Sequence, residues 1–73
     1  MKSNQIAKVA AAQILGQQAF VNGIKSAPSM DNAVMKMVAE LSTPDFSNSH
    51  VITAILKAWS KGWHEANLCA DIQ

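Results

Sequence analysis

A chain of 73 residues, 49% hydrophobic and 15% charged, has the composition of a folded domain and not of a disordered segment. At this length it can bury only one small core, so residues 1–73 are expected to form a single helical domain with little stability in reserve. The net charge is +1, and all six basic residues are lysines. Without arginine the chain lacks the preferred reader of phosphate and guanine, which tells against nucleic acid as its partner.

Two common staples of small domains are missing from the sequence. Cys69 has no second cysteine with which to form an internal disulfide, and no close histidine pair makes a zinc site. A second subunit is the staple that remains. The longest apolar stretch near the N-terminus, Val9 to Gly16, is interrupted by Gln13, and no run approaches the ~20 apolar residues of a membrane span. Neither a cleaved signal nor a membrane segment is expected, and the compartment reads as the cytosol.

The first predicted helix covers residues 4–22, with Ser3 or Asn4 to cap it and Gly23 to end it. Ile6, Val9, Ala10, Gln13, Ile14, Gln17, Phe20, Val21 and Ile24 recur at steps of three and four, a helical stripe in which the glutamines read as helix-friendly surface. Lys2, Lys8 and Lys25 make this stretch locally basic, as a solvated face does. Pro28 then breaks the chain, and Ser29 or Asp31 caps a second helix over residues 30–41. Its stripe of Met30, Val34, Met37, Val38 and Leu41 is the cleanest in the sequence; Lys36 and Glu40 fall on the wet side, and Met35 is apolar but off the stripe.

Residues 42–49 are rich in turn formers, with Phe46 as an anchor. A third helix over residues 49–68 follows, capped by Ser47, Asn48 or Ser49, with Ile52, Ile55, Leu56, Trp59, Trp63 and Ala66 on one face and Lys57, Lys61 and Glu65 on the other. Strict alternation is found nowhere, so the expected fold is all-α, a small bundle of three helices.

Catalysis needs converging groups, and helical spacing brings few together. His64 and Glu65 diverge by about 100° on a helix, His64 and Cys69 are five apart, and His50 has no acid at a fixed spacing to orient it. Gly16, Gly23 and Gly62 are scattered with no strand before them, and the five acids lie on separate elements or turns. The expectation is a non-enzyme with no cofactor, metal or small-molecule substrate.

The cluster Trp59-Ser60-Lys61-Gly62-Trp63 is more informative, because a glycine inside a helix costs about 1 kcal/mol against alanine and usually has a packing reason. Gly16, with Ala12 and Ala19, offers a matching small surface on the first helix, so the first and third helices are expected to cross closely at Gly16 and Gly62. The tryptophans then fill the core or present a binding hot spot, or do both.

The run from Gly16 through Ala19 to Gly23, and the run Trp59, Gly62, Trp63, Glu65 and Ala66, resemble the two helices of the ribosome modulation factor family and its small phage-borne relatives. The resemblance implies a ribosome-binding hibernation factor that favours inactive ribosome dimers through ribosomal RNA and proteins. Between the two runs this chain carries the additional segment Ser29 to Ala58. Its near-neutral charge fits better a phage-type accessory protein or inhibitor that docks on a host protein complex. The residues expected to carry partner binding are Met35, Phe46, Trp59, Trp63, Lys57 and Lys61. Met35, Val51, Leu68 and Ile72, left over beside the main stripes, are expected to seat a second copy in a homodimer.

Overall fold

The structure, a computed structural model, describes residues 3–72 apart from Thr43 and Phe46, with side chains up to Cys69. Three helices follow one another: α1 (Ser3–Val21), α2 (Asn32–Leu41) and α3 (Ser49–Ile72), with a single 3-10 turn at Pro28–Met30 before α2. The fold is all-α, and its dominant contact is the close packing of α1 on α3.

That contact is built on two glycines. A Cβ on Gly16 would stand 2.8 Å from the carbonyl carbon of Trp59 and 2.9 Å from the amide nitrogen of Trp63; one on Gly62 would stand 2.8 Å from the carbonyl carbon of Gln13. Neither site can hold even alanine unless backbone moves, because the obstructing atoms are main chain. The two backbones therefore touch at the crossing predicted from the sequence. Ala12 and Ala19 extend the same small face and are fully or almost fully buried, at 0% and 2% exposure.

This close approach turns the small face of α1 towards α3, as expected at the crossing, and splits the predicted bulky stripe. Only small side chains fit between backbones in contact, so Ala12, Gly16 and Ala19 turn inward with Val9 and Leu15 beside them. Of the bulky members of the predicted stripe, Val9 and Ile24 pack against the core and Phe20 is half-buried, whereas Ile6, Ile14 and Val21 are carried to the outside at 55%, 54% and 79% exposure. Of the glutamines, Gln17 and Gln18 are exposed as expected, whereas Gln13 is half-buried and donates from Nε2 to Oε1 of Glu65 at 2.6 Å.

α1 ends as its sequence directs. Gly23 has φ 81°, the left-handed conformation that glycine adopts without cost. The amide of Gly23 donates to the Phe20 carbonyl at 3.1 Å and that of Ile24 to the Ala19 carbonyl at 2.9 Å, the paired bonds of a Schellman motif. Ile24 folds back onto the core as the apolar residue that follows such a turn.

Of the two expected caps for α2, Asp31 is the one used: its Oδ1 accepts from the Ala33 amide at 3.0 Å. Val34 and Leu41 are buried and Met37 and Val38 pack against them, so the α2 stripe holds, except that Met30 falls in the 3-10 turn and is 62% exposed. On α3 the buried positions are Val51, Ile55, Trp59 and Gly62, at steps of four, four and three. Val51, expected on a dimer surface, lies at 0% exposure in the core, because the α3 stripe starts one residue earlier than its isoleucines suggest. At the start of α3, Asn48 accepts from the Ile52 amide through its carbonyl, and its side chain reaches back to donate to the Leu41 carbonyl at 3.1 Å, tying the end of α2 to the start of α3.

Candidate functional site

The core is closed by one buried polar contact. Asp31 is 6% exposed, the one buried charged side chain among the described residues, and its Oδ2 accepts from the Trp59 indole nitrogen at 2.7 Å. A single carboxylate thus caps α2 with one oxygen and fixes the largest core side chain with the other. Spacing revealed the cap; the second role joins residues 28 apart in sequence and left no local signal.

Trp59 was expected to contribute to partner binding, and the structure corrects this: at 0% exposure it belongs wholly to the core. Trp63 differs. It is half-buried, its indole nitrogen donates to the Ile24 carbonyl at 2.8 Å, and its ring meets Phe20 edge-on with centroids 5.2 Å apart and planes at 89°. His64 stands edge-on to the same ring at 5.2 Å. With its polar atom satisfied and two rings against it, Trp63 is held as a rigid wall.

Beside that wall lies an open groove. It is lined by Gln17, Gln18, Phe20 and Val21 of α1, Asn22 just after it, and Glu65, Ala66 and Cys69 of α3. The C-terminal halves of the two helices therefore line one groove, in which three side-chain amides and a carboxylate mix with apolar side chains. Glu65 brings the charge, and its Oε1 is already engaged by Gln13. From Val21 the groove passes onto the outer face of α1, where Ile14, Ala10 and Ile6 continue the exposed stripe at steps of seven, four and four.

The other expected contact residues are spread out. Met35 is 37% exposed on α2, and Lys57 and Lys61 are exposed one turn apart on α3. Leu68 is 62% exposed, and Phe46, Lys2 and the side chain of Ile72 lie outside the described residues. Of the expected set, Trp63 alone adjoins the groove, through Phe20. Among the described residues, no three His, Cys, Asp or Glu side chains gather as a metal ion requires, and no helix is long and apolar enough to cross a membrane.

No family model, curated protein or solved structure matches this chain.

Proposed function

We propose that this chain is a non-enzymatic helical module that works by docking on another protein, with the end of α1 and the groove beside it as its working surface. The observation that carries this reading is the exposure of Ile6 and Ile14 at 55% and 54% on the outer side of α1, and of Val21 at 79% where that side meets the groove. A helix apolar on both sides is normally covered on both sides, and exposed apolar stripes with polar rims are the surfaces that proteins bind. Trp63 behind Phe20 adds the rigid aromatic backing typical of binding hot spots.

The surface chemistry supports the non-enzymatic part. His50, His64 and Cys69 are all exposed, far from the dry, oriented setting in which such groups act as bases or nucleophiles. The free thiol of Cys69 suits a reducing compartment such as the cytoplasm. A phage-type accessory protein that docks on a host complex is the role that fits this surface.

The alternative, a ribosome-binding hibernation factor, draws on Lys57 and Lys61, exposed one turn apart on α3. Capture from a cell lysate on the immobilised protein, at low and moderate salt and with or without nuclease, separates the two. Docking on a protein gives a partner retained through both treatments, whereas lysine contacts to ribosomal RNA weaken steeply with salt, by roughly one log unit of affinity per log unit of salt for each phosphate neutralised.

A further inference from the structure

We propose that α2, with the 3-10 turn before it, is a hinged strap that opens as one unit while α1 and α3 stay packed, and that the Asp31–Trp59 hydrogen bond is its latch. Opening lifts Val34 and Leu41 off a core that they share with Val51, Ile55 and Trp59 of α3. The groove is lined by α1, α3 and Asn22, so the strap is a device separate from it.

The ties within the molecule fall into two sets. α1 and α3, of 19 and 24 residues, meet backbone to backbone at Gly16 and Gly62. Gln13 donates to Glu65 at 2.6 Å, Trp63 donates to the Ile24 carbonyl at 2.8 Å, and Phe20 packs edge-on against Trp63. Each of these contacts is made by residues outside 25–41. The pair therefore keeps its own packing when α2 leaves.

α2 is held differently. Its 10 residues fall short of the ~12–15 below which an isolated helix is marginal in water, so it is helical because it is docked. Val34 and Leu41 are its buried side chains, with Met37 and Val38 half-buried beside them. A hydrogen bond stands at each end. The Asn48 side chain donates to the Leu41 carbonyl at 3.1 Å across 7 residues of chain, a local tie that can persist at a hinge. The Trp59 indole donates to Asp31 at 2.7 Å across 28 residues, and it must break for the strap to lift. On the other side the Ile24 carbonyl is fixed by Trp63, and residues 25–27 lie in no helix, so the chain can pivot there.

Native-state amide exchange by NMR, under conditions where exchange reports the population of the open form, tests this. In the parent, the amides of α2 should share one protection level, about tenfold or more below that of α1 from Ala12 to Ala19. Asp31→Asn keeps the shape but sets a second donor against either the indole or the Ala33 amide, so exchange in α2 should rise about 10- to 100-fold. Gly62→Ala strains the crossing in the closed and the open form alike. It should therefore raise exchange in α1 and α3 about fivefold or more and leave α2 within about twofold of the parent. Should Gly62→Ala fail to fold, Gln13→Ala, which removes the tie to Glu65, should divide the helices in the same way at about fivefold. Equal protection of α2 and the crossing, exchange rising together in all three helices of the crossing variant, or an α2 indifferent to Asp31→Asn would each overturn the proposal.

Discussion

At the scale of single residues, Asp31 does the work of two. Its carboxylate caps α2 through the Ala33 amide and holds the Trp59 indole nitrogen, both in a nearly closed site. Asp31→Ala should remove the cap and leave a buried donor unpaired, a combined cost of about 2–4 kcal/mol. In a Trp59→Phe background the same change should cost only the cap. A double-mutant cycle read by urea denaturation should therefore give a coupling of about 1–2 kcal/mol between the two sites; additive costs would show that the indole contact contributes nothing. The cap was legible because Asp31 stands just before a helical stripe. Its tie to Trp59 was not, since a contact across the fold depends on where two helices settle.

At the scale of elements, the α1–α3 crossing depends on two glycines, and the end of α1 on a third. Gly16 and Gly62 lack room for a Cβ, whereas Gly23 has nothing within 4 Å but a φ of 81°. Gly16→Ala and Gly62→Ala should each cost about 1–3 kcal/mol or more by forcing the backbones apart, lowering the melting temperature by about 4–8 °C per kcal/mol in a domain of this size. Gly23→Ala should cost about 1–2 kcal/mol through backbone conformation alone and leave the crossing intact. If Gly62→Ala melts within about a degree of the parent, the helices are not in backbone contact there. This crossing could be anticipated because a glycine inside a helix, matched by Gly16, Ala12 and Ala19, is costly unless packing repays it. The exposure of half the bulky stripe of α1 could not. Periodicity locates a stripe by hydrophobicity, and here the closeness of the contact selects small side chains, so Ala12, Gly16 and Ala19 face inward while Ile6, Ile14 and Val21 face out. Val51 was misplaced for a related reason, because the α3 stripe is set by its partners and not by its most hydrophobic residues.

At the scale of the whole molecule, a small core and an apolar outer face belong together. The fully buried large side chains are Trp59, Ile55, Val34 and Val51, while Ile6, Ile14, Val21, Met30, Met35 and Leu68 remain more than a third exposed. A partner that covered this apolar surface would add to the stability of the fold by mass action. Composition had already suggested a partner; the face we propose for it stands out only once α1 has turned its small side to α3. The most direct measurement is lysate capture at moderate salt with nuclease, comparing the parent with Val21→Glu, which alters the most exposed large side chain of the groove and leaves the core untouched. The predicted result is a protein partner retained by the parent through salt and nuclease and lost by Val21→Glu; ribosomal proteins that vanish with salt or nuclease, or a partner held equally by both proteins, would contradict it.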